Sequence, residues 1–69
     1  MPISMMKPGT VCQIKRLQGS DEVRRHLGDM GFVEGAEVTV VSALGGSLIL
    51  GIHETRVAVN ADLARRILV

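Results

Sequence analysis

Alternating apolar and polar residues mark much of the chain as short β-strands. The first such run, residues 10–17, places Cys12 and Ile14 on the same side of an extended segment, and we expect both to face the core. Residues 36–44 alternate in the same way. A period of two is typical of a strand that buries one face and leaves the other in water. The two segments are therefore predicted to be the first two strands of a half-solvated sheet.

Three further strands are predicted in the second half of the chain. Residues 47–52 are largely apolar, residues 55–59 alternate again, and residues 67–69 are apolar throughout. The two glycines at 45–46 predict a tight hairpin, because a two-residue type I′ turn needs positive φ at both central positions. A second reversal is predicted near residues 53–54, where the apolar segment ends at charged and polar residues.

One amphipathic helix is predicted between the first two strands. Ser20 can accept a hydrogen bond from the free amides at the helix start, and the acids Asp21 and Glu22 complement the positive end of the helix. Apolar residues then recur at helical spacing on one face, namely Val23, Leu27 and Met30. The helix is therefore expected to bury this single stripe.

Gly31 and Phe32 predict how that helix ends. A glycine at this position is typical of a left-handed cap, and the next apolar residue often folds back over the last turn. Phe32 is the only aromatic residue of the chain and is expected to anchor the core. Near the C-terminus, Asn60 can cap a short helical turn over residues 61–65 before the closing strand.

The predicted fold class is mainly β: a small SH3-like, partly open barrel of about five strands, with one short inserted helix and a short helical turn near the C-terminus. Curling into a barrel is the simplest way for several short strands to avoid an exposed sheet edge. We expect residues 1–69 to form a single domain. Residues 1–8 lack a strand or helix pattern and are predicted to be a loosely ordered N-terminal segment.

Composition narrows the classes of function. The 69 residues carry a net charge of only +1, which gives no broad basic surface to attract nucleic acid. They also include no Trp or Tyr on which bases could stack, so binding to nucleic acid is not expected. The single cysteine, Cys12, cannot form an internal disulfide, which favours a reducing cytoplasm. No apolar run approaches the roughly 20 residues that a spanning helix needs, so direct membrane insertion is not expected.

Neither a metal site nor a catalytic site is predicted. The candidate metal ligands Cys12, His26, His53 and Glu54 do not follow the spacing of known metal motifs, so no cofactor is expected, although Fe²⁺ or another divalent ion would be the metal to test. Cys12 is interpreted as a small buried apolar residue rather than a nucleophile. The chain also lacks a nucleophile elbow and a phosphate-binding loop, so an enzyme is not expected.

Three segments resemble the FeoA family of bacterial ferrous iron transport proteins. Residues 27–40 (LGDMGFVEGAEVTV) resemble its helix end, turn and second strand, residues 57–69 resemble its last strands, and residues 9–19 resemble its first strand. The hairpin at residues 43–48 departs from the Ala-Pro-x-Gly-Asp-Pro-like pattern of many members, and Asn60 and Leu63 stand where many carry Arg and Glu. The resemblance otherwise covers nearly the whole chain.

This resemblance implies a non-enzymatic accessory of ferrous iron uptake, cytoplasmic or peripherally associated with the inner membrane through its partner. The implied partner is the cytoplasmic GTP-binding portion of the FeoB transporter. Similar domains form the C-terminal modules of iron-dependent repressors, so a metal-responsive or self-associating SH3-like domain, including a weak homo-oligomer, is the alternative. We predict that the partner binds the outer side of the helix and the tip of the hairpin, through Arg24, Arg25, His26, Leu44, Gly45 and Gly46.

Overall fold

The computed structural model describes all residues 1–69 and contains six strands in two sheets, with two short helices. In chain order the elements are β1 (Val11–Gln13), β2 (Arg16–Leu17), α1 (Asp21–Asp29), β3 (Glu37–Leu44), β4 (Ser47–Ile52), β5 (Thr55–Asn60), α2 (Ala61–Ala64) and β6 (Ile67–Leu68). The first sheet is antiparallel with the order β1-β3-β4-β5, and the second pairs β2 with β6. The predicted mainly β, SH3-like class is confirmed.

The predicted strand over residues 10–17 is divided between the two sheets. The Ile14 amide donates to the Ala36 carbonyl at 2.9 Å, which continues the pairing of β1 with β3. One residue later the Lys15 amide donates to the Leu68 carbonyl at 2.7 Å, which begins the pairing of β2 with β6. The chain therefore turns a corner of the barrel at this point, and one predicted strand becomes two.

The core contains twelve buried residues, all apolar. Alternate residues of β3 and β4 supply much of it, because Val38, Val40 and Leu50 are completely buried while their chain neighbours face outward. Phe32 is also completely buried and is the largest residue of the core, as predicted. Cys12 packs against the core at its edge and is half-buried.

The N-terminal segment is ordered, which corrects the prediction for residues 1–8. Residues Ile3–Met5 form a 3-10 turn, and Ile3 is completely buried in the core. Pro2 forms a bridge with Leu68, and the Val69 amide donates to the Met1 carbonyl at 2.8 Å. Pairing with the C-terminal strand and burial of one isoleucine together order a segment that has no repeating pattern of its own.

Local hydrogen bonds set both ends of α1 as predicted. The Ser20 hydroxyl accepts from the Val23 amide at 3.2 Å. At the other end Gly31 has a φ of 98°, the Phe32 amide donates to the Leu27 carbonyl at 3.0 Å, and the Gly31 amide donates to the Gly28 carbonyl at 2.9 Å. This pair of bonds is the Schellman motif. It places Phe32 directly after the helix and in the core.

Two glycine-to-alanine substitutions in this region are expected to change stability in opposite directions. Gly31→Ala should lower the free energy of unfolding by about 1–2 kcal/mol, because a side chain is strained at this positive φ. Gly28→Ala should raise it by about 0.5–1 kcal/mol, because Gly28 is helical and an added Cβ has nothing within 4 Å. Urea unfolding followed by circular dichroism measures both. A stabilised Gly31→Ala protein would contradict the assigned cap.

Candidate protein-binding surface

The tip of the β3–β4 hairpin is the most exposed apolar feature of the molecule. Gly45 and Gly46 have φ values of 55° and 83°, so both central positions are left-handed as the predicted type I′ turn requires. Leu44, just before them, is 81% exposed, more than any other large apolar residue. An aliphatic side chain is therefore held in water beside a two-residue turn.

An open cleft lies directly beside this tip. Its volume is about 270 Å³. Residues 43–48 of the hairpin line one side, and Ser4 and Ala61 line the other. Most of its lining is apolar, and it is open to solvent. The size suits one or two aliphatic side chains of a partner rather than a folded element. We name this feature the hairpin cleft.

Ser4 and Ala61 are lining residues that the sequence did not suggest. Ser4 lies in the N-terminal segment, which carries no periodic pattern, and it reaches the cleft because Ile3 is anchored in the core. Ala61 begins α2, where the Asn60 side chain accepts from the Leu63 amide at 2.9 Å. The Asn60 cap was predictable from the sequence, but its position beside the hairpin depends on the fold.

The predicted basic residues occupy the exposed side of α1. Arg25 and His26 are both exposed, and neither side chain makes a hydrogen bond or ion pair within the chain. Arg24 is also half exposed, but its guanidinium pairs with the Asp21 carboxylate one turn earlier on the helix. Arg25 and His26 are therefore freer than Arg24 to contact an acidic partner.

The structure separates the two halves of the predicted surface. No residue of α1 lines the hairpin cleft. The cap of α1 at Gly31 instead lies against the side chains of Ile52 and His53, which follow each other at the end of β4 farthest from the hairpin. A partner that contacts both the hairpin cleft and the α1 surface would therefore have to extend along the molecule.

The candidate metal ligands of the sequence do not come together. No group of three or more His, Cys, Asp or Glu side chains is placed to hold a metal ion. The Cys12 thiol lies 3.7 Å from the Val38 carbonyl, and burial raises its pKa above the usual value for a thiol. A raised pKa lowers the thiolate fraction, which makes Cys12 a weak nucleophile and a weak metal ligand near neutral pH.

A comparison with protein families identifies the chain. The model of the FeoA domain matches residues 1–69, which is the full sequence. The chain belongs to the FeoA family. This membership supports a role in ferrous iron transport, and the family is one of small accessory domains rather than of known enzymes. No helix of this FeoA domain has the length and apolar character to cross a membrane.

Solved structures agree with this assignment. An iron uptake regulatory protein, FeoA, is 28% identical with a TM-score of 0.90, over 97% of this chain and 91% of its own. The zinc-complexed FeoA of Stenotrophomonas maltophilia, described as a prokaryotic SH3 domain protein, is 30% identical with a TM-score of 0.84, over 99% of this chain and 87% of its own.

A more distant structural match shows the fold alone. A manganese-dependent transcriptional repressor is 14% identical with a TM-score of 0.89, over 97% of this chain and 39% of its own. The same barrel therefore occurs as one part of a longer regulator. No curated protein sequence matches the chain significantly.

Proposed function

We propose that this FeoA domain is a non-enzymatic accessory of ferrous iron uptake that binds the cytoplasmic GTP-binding portion of the FeoB transporter. The observation that carries the proposal is the hairpin cleft, where Leu44 stands 81% exposed beside an open apolar cavity. Exposed apolar surface of this kind is stabilised when a protein partner covers it. The domain would act in the cytoplasm, at the inner membrane only through its partner, and without a resident cofactor.

The hairpin cleft and the α1 surface would have different roles in this contact. Leu44 and the apolar lining of the cleft would supply the buried centre of the interface, where most of the binding free energy arises. Arg25 and His26 lie at the exposed rim, where charge affects mainly the association rate and the orientation of the partner. Arg24, Gly45 and Gly46 complete the proposed surface.

Two observations support the alternative, a metal-responsive domain related to repressor modules: a likeness of fold to a repressor, and the zinc complex of the Stenotrophomonas maltophilia FeoA. The repressor match is 14% identical, and no three ligand side chains converge in this chain. Titration with Fe²⁺ under reducing conditions tests the alternative separately. Saturable binding with shifts at identified side chains would favour it over the accessory role.

We expect Leu44→Asp to weaken binding to the isolated GTP-binding portion of FeoB by about ten- to a hundredfold, because the carboxylate cannot enter an apolar contact. Arg25→Glu should weaken it less and should lower the association rate at low salt. NMR titration of the labelled FeoA domain, with and without guanine nucleotide, measures the affinities and maps the shifts.

The matched control is Val33→Asp. Val33 is 48% exposed and lies outside the proposed surface, so the same kind of change there should leave the affinity unaltered. An absence of shifts at millimolar partner, or equal effects of Leu44→Asp and Val33→Asp, would contradict the proposed contact.

A further inference from the structure

The outer face of the four-stranded sheet can be read directly from the strand pairing. Residues directly opposite each other in antiparallel strands point to the same side of a sheet. Val11 pairs with Thr39, Thr39 with Gly51, and Gly51 with Arg56, so these four share one face across all four strands. The side is the outer one, because Val38, Val40 and Leu50 face the core from the positions between them.

Aliphatic residues share this outer face with the polar residues Gln13, Glu37, Thr39 and Arg56. Val11 is 57% exposed. Ile49 pairs with Ala58, and each lies two residues along its strand from the pair Gly51 and Arg56, so both point to the same outer side. Ile49 is half-buried and Ala58 is exposed. The water-facing side of an antiparallel sheet is ordinarily polar. This face therefore carries apolar surface that the folding of a single chain leaves in water.

Gly51 lines an open trough at the end of this face nearest the β4–β5 turn, together with Glu37, Thr39 and residues 52–56. Its φ is not in the left-handed region, so the backbone does not require glycine. Space does not require it either, because an added Cβ would meet Val41 at 3.5 Å and Thr39 at 3.8 Å, which are ordinary contacts. A glycine inside a strand weakens it and often marks close approach by another backbone or a ligand. The trough is thus a place where another surface can come close.

Opposite charges line the two sides of the trough without pairing. Glu37 on β3 and Arg56 on β5 both line it, separated by β4, and Glu54 of the β4–β5 turn lines it as well. The two ion pairs of the chain lie elsewhere, within α1 between Asp21 and Arg24 and at α2 between Asp62 and Arg65. Glu37 and Arg56 are both exposed and are free to pair with charges on another molecule.

We infer that the outer face binds a second copy of the same chain, sheet against sheet across the Gly51 trough. A two-fold symmetric interface brings the same patch of both subunits together, so it must be complementary to itself. A two-fold axis that lies between the facing sheets and runs along β4 places β3 of each copy over β5 of the other. Arg56 of each copy then lies against Glu37 of the other. The same arrangement covers Ile49 and Ala58 of both faces and lets the sheets approach closely where Gly51 has no side chain.

Charge reversal at Arg56 and Glu37 tests whether a second copy of the chain binds this face and whether the two residues meet across the dimer. Wild-type protein should show a monomer–dimer equilibrium in sedimentation analysis across micromolar to millimolar concentration. Arg56→Glu and Glu37→Arg should each weaken the dimer by about tenfold or more, because each turns two attractive contacts into repulsive ones. An equimolar mixture of the two variants should restore association as a heterodimer, because both opposite-charge contacts are then present.

Two helix variants provide the matched control. Arg25→Glu and Glu22→Lys make the same changes in net charge on α1, outside the trough, and should dimerise like wild type whether alone or mixed. Circular dichroism should show that all four variants are folded. A wild-type protein that stays monomeric throughout, or a mixture of Arg56→Glu and Glu37→Arg that associates no better than either alone, would overturn the inference.

Gly51→Ala supplies a second measurement that does not depend on charge. The added methyl fits within the monomer, so the variant should fold at least as stably as wild type. It should nonetheless weaken the dimer by about fivefold or more, because an extra methyl group in a close-packed contact is poorly tolerated. An unchanged dimer affinity would overturn the placement of the contact at the trough.

Discussion

Replacing Phe32 with alanine is expected to lower the free energy of unfolding by about 3–5 kcal/mol. Phe32 is completely buried and is the largest residue among the twelve of the core. A domain of 69 residues has a total stability of roughly 3–10 kcal/mol, so this loss removes a third or more of it. Urea unfolding followed by circular dichroism gives the change, and a substantial unfolded fraction in the absence of denaturant is the expected result.

The neighbouring residue provides the control for this large effect. Val33 follows Phe32 in the chain but is 48% exposed, so Val33→Ala should change the free energy of unfolding by no more than about 0.5 kcal/mol. Phe32→Leu, which keeps much of the apolar volume, should fall between the two. A Phe32→Ala protein as stable as Val33→Ala would show that the ring does not anchor the core.

Ile3→Ala is expected to lower the free energy of unfolding by about 2–5 kcal/mol, although it lies only two residues from the N-terminus. Ile3 is completely buried, and its 3-10 turn is tied to the C-terminal strand through the bridge between Pro2 and Leu68. The loss of its side chain leaves a cavity in the core and loosens this connection. The same urea experiment measures the effect.

Met5→Ala is the matched control, since Met5 lies in the same short turn and is 65% exposed. It should change stability by no more than about 0.5 kcal/mol. Equal and small effects of Ile3→Ala and Met5→Ala would instead support a loosely ordered segment over residues 1–8. Protection of the Val69 amide from hydrogen exchange gives an independent reading, because that amide donates to the Met1 carbonyl at 2.8 Å.

The two proposed interaction surfaces use different ends of the same strand. The hairpin cleft adjoins the first residues of β4, Ser47 and Leu48, whereas the trough adjoins its last residues, Gly51 and Ile52. Binding of FeoB at the hairpin cleft and of a second copy at the outer face would therefore be compatible in one assembly. Leu44→Asp and Arg56→Glu should accordingly act on different readouts, the first on FeoB affinity and the second on self-association.

Much of the candidate protein-binding surface was predictable because it consists of exposed local features. The hairpin follows from two adjacent glycines, and the exposed side of α1 follows from its apolar stripe at Val23, Leu27 and Met30. The cleft was not predictable, because Ser4 and Ala61 reach it from distant parts of the chain. The trough was not predictable either, because cross-strand pairing, rather than sequence distance, places Glu37 near Arg56.

The sequence by itself determined the features that depend on a few neighbouring residues: the caps of both helices at Ser20 and Asn60, the Gly31 ending, and the alternation that sends Val38 and Val40 inward. Each of these features is set by a hydrogen bond between residues close in sequence, or by a periodicity over a few consecutive residues. Only the tertiary structure decided the division of residues 10–17 into two strands, the burial of Ile3 and the contents of both candidate surfaces. These features depend on bonds and contacts between segments far apart in the chain, which no local pattern encodes.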